Sequence, residues 1–276
     1  MSAGVLLVVL LGALLHASWN MLVKAAPDAR LATALVYVGG GLIAALVLPF
    51  LPAPAPASWP YIAAATVTEL GYGMLLAAAY RVGDLSHAYP LMRGAAPLLV
   101  ALGSGALIGE HLSTGVWAGV GLVSCGILSM IMDARSQGHS AAATRLALLN
   151  AILIAAYTTI DGIGVRLSGQ PVTYSLWLSL LIAVPWLLWV VARAQPAQLR
   201  RQLPSAAVGA TFSVAAYTLA LWAMTGAPVA AVAAVRETSL IFATALGAIV
   251  LHERVTRVRA LAAVAMALGV WVIRTH

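Results

Sequence analysis

Ten separate apolar runs, each about 20 residues long, constrain this chain more than any other feature. They fall at roughly 3–24, 31–50, 58–80, 84–108, 114–132, 144–166, 173–192, 204–225, 228–251 and 257–274. A helix rises about 1.5 Å per residue, so each run is long enough to cross a bilayer core. In lipid a backbone must satisfy its own hydrogen bonds, which makes helix the form for isolated runs of this kind. Composition agrees. Of 276 residues, 62% are apolar and 8% are charged, where soluble domains carry about 25% charge. The expected fold is an all-α integral membrane protein, with the lipid bilayer as its surroundings. The opening stretch "MSAGVLLVVLLGALLHASWN" has no basic n-region and is too long for a signal-peptide core, so it is read as the first membrane helix and retained. The formal net charge of +7 is assigned to loops that orient the helices, not to a nucleic-acid partner. Cys125 is the single cysteine, and no metal site or cofactor is expected.

The polar stretch "DARSQGHSAAATR" at 133–145 is the longest non-apolar segment and lies near the middle. It divides the chain into a first repeat at 1–132 (helices one to five) and a second at 146–276 (helices six to ten). Setting Glu110 on Glu253 gives an offset of 143 residues, which then places Gly83 on Gly226, Gly126 on Gly269 and Arg93 on Arg236. Only the glutamates fix the register, so the arginine match is independent. "HASWN" at 16–20 pairs less clearly with "YTTID" at 157–161. Five is odd, so the second half enters the membrane from the opposite side. Ten helices in two inverted five-helix repeats is a transporter architecture, with the substrate site near the midplane.

Lys and Arg are unevenly shared between the two faces. The face holding loops 1–2, 3–4, 5–6, 7–8 and 9–10 carries eleven; the other face carries only Arg166 and Arg274. By the positive-inside rule the eleven face the cytoplasm and both termini lie outside.

Polar residues within the runs carry the functional reading. An ionised group near the bilayer centre costs several kcal/mol, so it is kept only against a partner or a wet cavity. Arg93 and Arg236 each lie roughly 12–14 Å into their helices. Glu69 is near the middle of helix three, Glu237 adjoins Arg236, and Asp161 lies toward the end of helix six. His16 and Asn20 are four residues apart on one face of helix one. One reading is an internal lock in which Glu69 pairs with one arginine and Glu237 with the other. The alternative is a two-fold related clamp on an anionic ligand, which the planar guanidinium suits. Glu69 and Glu237 then balance charge, and Glu69 or His16 is open to a proton-coupling role. Tyr72 and Tyr89 share faces with Glu69 and Arg93 at helical spacing. Pro90 and Pro97 bracket Arg93 and free backbone groups there. Glu110 and Glu253, at matched helix ends, are expected to be cap or gate contacts. No nucleophile–base pair or metal-spaced cluster suggests an enzyme, although an intramembrane lipid-modifying enzyme is the alternative of another class.

With "GALIGEHLS" closing helix four and "GAIVLHERVT" closing helix nine, the chain resembles the EamA-type branch of the drug/metabolite transporter superfamily over its whole length. "HASWNMLVK", "AYPLMRGAAPLL" and "VRETSLIFATALGAIVLHERV" resemble a bacterial subgroup found near phosphonate-utilisation genes. The resemblance implies a multi-pass protein of the bacterial inner membrane, alternating access, and a cavity lined by helices three, four, eight and nine. Helix eight then offers Ser213 and Tyr217 on one face. The expected function is secondary transport of a small anionic or zwitterionic metabolite: an organic acid, an amino acid or a phosphonate. The small-molecule substrate is one partner and protons are a candidate coupling ion. Export of lipophilic or cationic compounds is the competing transporter reading, and a homodimer is left open. Many family members keep basic termini inside, so transport direction does not carry over.

Overall fold

The computed structural model describes residues 1–82, 85–133 and 141–276. Gly83 of the sequence reading, with most of the expected linker, lies outside the described residues. Among the described residues, ten helices are long and apolar enough to span a membrane. They are α1 (Ala3–Lys24), α2 (Ala29–Val47), α3 (Trp59–Val82), α4 (Leu85–Gly103), α5 (Thr114–Ser129), α6 (Ala141–Ser168), α7 (Pro171–Arg193), α8 (Pro196–Gly226), a ninth span split into α9 (Val229–Arg236) and α10 (Ser239–Val250), and α11 (Arg257–Thr275). No strand occurs among the described residues.

Local chemistry sets the ends. Ser2, Asp28, Ser113 and Thr256 cap α1, α2, α5 and α11 by accepting a backbone N–H from the first turn. The last turn of the fourth span, Ser104–Ile108, is π-helical and stops at Gly109, whose φ of 73° suits a residue without Cβ. Large apolar side chains such as Leu7, Met74, Leu188, Ile249 and Leu261 stand exposed on outer helix faces, the surface a bilayer covers.

Three elements differ from the sequence reading. Helix α6 starts at Ala141, because three alanines at 141–143 favour helix although the stretch reads as linker by polarity. Helix α8 starts at Pro196, eight residues before its apolar run. Its first turns carry Arg200 and Arg201 on one side while Leu199 packs inward, so hydropathy alone misses them. The ninth span breaks at Glu237 and Thr238. There the Thr238 hydroxyl donates to the Val235 carbonyl at 2.7 Å, competing with the backbone ladder.

The packing fits two halves related by an inversion. Helix α1 of the first half packs on α8 of the second, and α6 of the second packs on α3 of the first; α2 faces α7 and α5 faces α11. The α5–α11 crossing is built from small residues. A Cβ at Gly119 would lie 2.7 Å from the Gly269 carbonyl oxygen, and one at Gly126 would lie 3.0 Å from that of Ala262. The 143-residue offset takes Gly119 to Ala262 and Gly126 to Gly269, so it exchanges these two contacts. Close backbone approach at small residues is how membrane helices associate without a hydrophobic drive.

Candidate functional site

The two matched arginines meet at the centre of the bundle. Arg93 projects from α4, and Arg236 is the last residue of α9. Both border the same two crevices. The first is a narrow crevice between α4, α6 and α9, where Pro97, Tyr157, Thr158 and Glu237 also line it. The second, narrower still, is completed by Gly12, Ala13 and His16 of α1 and Ala216 of α8.

The arginines differ in engagement. Arg93 Nε lies 2.9 Å from Glu237 Oε2, and the two side chains are 10% and 7% exposed. That is half of the internal lock expected from the sequence. The other half does not form. Arg236 has no carboxylate within ion-pair distance among the described residues; its guanidinium carbon stands 5.6 Å from the centre of the Tyr217 ring. Such stacking satisfies a cation only partly and leaves its fork of donors available.

Glu69 is held by a phenol instead. Tyr217 Oη is within hydrogen-bonding distance of both Glu69 Oε1 and Asp161 Oδ2, and Tyr174 donates to Asp161 Oδ1 at 3.0 Å. Asp161 is 1% exposed. The structure thus joins α3, α6, α7 and α8 through one buried polar cluster. Tyr217 has a single hydrogen to give, so it donates to one carboxylate at a time.

The remaining expected residues are spread around this centre. Tyr72 stacks edge-on against Tyr157 at 5.9 Å, the residue lining the first crevice. His16 lines the second crevice and packs edge-on against Trp19 at 5.4 Å. Asn20 donates to the His16 carbonyl at 2.8 Å, so its amide is turned back on its own helix. Tyr89 packs into the apolar core beside Met92. Ser213 is half-buried on α8 and borders neither crevice. Gly71 approaches Leu153 of α6, whereas Gly73 faces open space and brings no neighbour close.

Two more ion pairs join the halves at opposite ends of the bundle. Arg166, near the end of α6, donates to Glu110 Oε1 at 2.6 Å and to the carbonyls of Met224 and Ala227 at 2.8 and 2.9 Å. Glu110 in turn accepts the Val229 N–H, the first of α9, on both oxygens at 3.0 Å. At the other end Lys24, closing α1, meets Glu253, which follows α10. These glutamates are the pair that fixed the repeat register.

Sequence reasoning missed Tyr157, Thr158, Tyr174 and Arg166. Tyr157 carried a signal, since it lies one turn before Asp161 on the same helix face. Tyr174 sits at the start of an apolar run, followed at one-turn spacing by Trp177 and Leu178 of its helix, and Arg166 read as a loop cation.

Comparison with known proteins agrees with this architecture. Residues 143–275 match the model of the EamA-like transporter family. One solved crystal structure covers 99% of this chain and 96% of its own, with a TM-score of 0.75 at 19% identity; likeness at that identity concerns the fold. No curated protein matches the sequence. The chain is therefore a multi-pass membrane protein with ten spans among the described residues, and its second half, residues 143–275, is similar to the EamA-like transporter family.

Proposed function

We propose that this chain is a secondary active transporter of a small anionic or zwitterionic metabolite (an organic acid, an amino acid or a phosphonate) that works by alternating access. One observation carries the reading: Arg236 is a central cation with no carboxylate partner among the described residues, bordering two crevices. A cation held inside an apolar bundle is costly without an anion, and a carboxylate or phosphonate supplies one. Glu237, beside it, offers a zwitterion's ammonium group a counter-charge. Export of cations is disfavoured by the same guanidinium. The bias of Lys and Arg orients the Lys24 face to the cytoplasm of a bacterial inner membrane.

The test is thermal stabilisation of the purified protein over a panel of organic acids, amino acids, phosphonates and organic cations. A ligand that binds only the native state raises its stability by RT ln(1 + [L]/Kd). An anionic or zwitterionic compound is expected to raise the midpoint. Stabilisation by cations alone would move the chain to the exporter reading.

Protons are the coupling ion in this scheme. The cluster Glu69–Tyr217–Asp161 has two oxygen–oxygen contacts and one tyrosine hydrogen between them, so a second hydrogen on one carboxyl completes both bonds. A protonated-carboxyl stretching band is expected in the infrared spectrum at neutral pH, absent from Glu69→Gln or from Asp161→Asn and kept in Glu237→Gln. A native spectrum without the band would exclude the cluster as the proton carrier.

A further inference from the structure

We infer that Glu110 is a positioning residue for Arg236, and that Glu110–Arg166 and Glu253–Lys24 are reciprocal latches at the two faces of the protein. This rests on the alternating-access reading and adds to it the groups that close each face.

Three observations support the assignment. First, each latch crosses between the halves: Glu110 belongs to the first and Arg166 to the second, whereas Lys24 belongs to the first and Glu253 to the second. Rocking one half against the other must change both. Second, the two glutamates match at the 143-residue offset and their cations to within one residue (Lys24 falls on Leu167, beside Arg166), yet the latches are unequal in engagement. Glu110 and Arg166 are 11% and 30% exposed at their side chains, and together they fix the Val229 N–H and the carbonyls of Met224 and Ala227. Glu253 and Lys24 are 36% and 59% exposed and meet through one contact. The Arg166 face is the more firmly shut. Third, the Glu110 latch is wired to the centre. It holds the first N–H of α9, an eight-residue helix that ends at Arg236. The helix stops there, at the break before Ser239. A short rigid helix pinned at one end and free to hinge at the other transmits a shift of its start to the guanidinium at its end. Letting go of Val229 therefore opens the face and re-aims Arg236 in one movement.

The inference is tested by cysteine accessibility, which needs no substrate. Thr158, buried on the first crevice, is replaced by Cys in a Cys125→Ser background, and a membrane-impermeant maleimide is applied to right-side-out and to inside-out vesicles. Glu110→Gln removes the charge-assisted bonds of one latch only, and a closed-state interaction of that size shifts the open population by about tenfold. The labelling rate is expected to rise by that factor from one face. Glu253→Gln is expected to raise it from the opposite face, by less, because its latch is exposed. Arg166→Lys, which keeps the charge but loses the fork, should fall between native and Glu110→Gln; it also serves if Glu110→Gln does not fold. Equal labelling in all variants, or a rise from the same face for both glutamates, overturns the latches. Such a failure leaves the ligand panel unaffected, so it is distinguishable from failure of the transporter reading. A rise without altered affinity for a stabilising ligand in Glu110→Gln would leave a latch but remove the positioning role.

Discussion

Arg93→Gln alone will lower the apparent unfolding midpoint of the detergent-purified protein by about 10 °C, whereas Arg93→Gln combined with Glu237→Gln will recover most of that loss. The two side chains are 10% and 7% exposed and 2.9 Å apart, deep in the fourth and ninth spans. Removing one member of a buried pair leaves the other charge desolvated and uncompensated, at a cost of about 3–5 kcal/mol. For a chain of this length each kcal/mol moves the midpoint by about 2–4 °C. Removing both members lifts the desolvation cost along with the attraction, and such double replacements are often near neutral. The cycle thus reads the coupling between the two residues, which single replacements do not. A double variant no more stable than Arg93→Gln would mean that Glu237 finds another cation, and Arg236 is the one within reach of it. The same experiment separates the two arginines, because Arg236→Gln strands no carboxylate and is expected to keep the native midpoint.

That asymmetry was not legible in the sequence, and the reason is physical. Register and spacing place Arg93 and Arg236 at equivalent depths, since both follow from the period of a helix. Choice of partner depends on how the helices turn about their axes, which apolar runs of this kind leave undetermined. Glu69 looked equally able to meet an arginine; the rotation of α8 gives it Tyr217 instead. The break after Arg236 was also hidden, because "VRETSLIF" keeps an apolar average across a point where Thr238 bonds back to the helix. What was legible was whatever the bilayer dictates: ten spans, their order, and the rule that charges inside them must be accounted for. The matched glutamates were visible as a motif, but their role became clear only when α6 and α1 brought Arg166 and Lys24 to them. Arg166 illustrates the limit well. Charge counting treats it as one of two basic residues on its face, while in the structure its Nε and Nη2 are engaged by Glu110 and two carbonyls.

Arg236→Gln is expected to remove the stabilisation given by an anionic or zwitterionic ligand, weakening its binding by at least about 100-fold. A hydrogen bond to a charged group contributes about 1.5–3 kcal/mol, and a guanidinium makes two to one carboxylate or phosphonate. Together these give about 3–6 kcal/mol, above the roughly 2.7 kcal/mol that corresponds to a hundredfold change. Arg236→Lys restores the charge without the planar fork, so its ligand response should be intermediate. Tyr217→Phe keeps the ring under Arg236 but removes the hydroxyl from Glu69 and Asp161; it is expected to leave binding near native while altering its dependence on pH. The two arginines then give opposite patterns: Arg93→Gln lowers stability first, and Arg236→Gln lowers affinity with stability kept. If the pattern is reversed, Arg93 is the ligand-binding cation and must exchange Glu237 for substrate during the cycle. If Arg236→Gln responds to every ligand as the native protein does, the central guanidinium is answered by Tyr217 alone, and cation export becomes the reading to pursue.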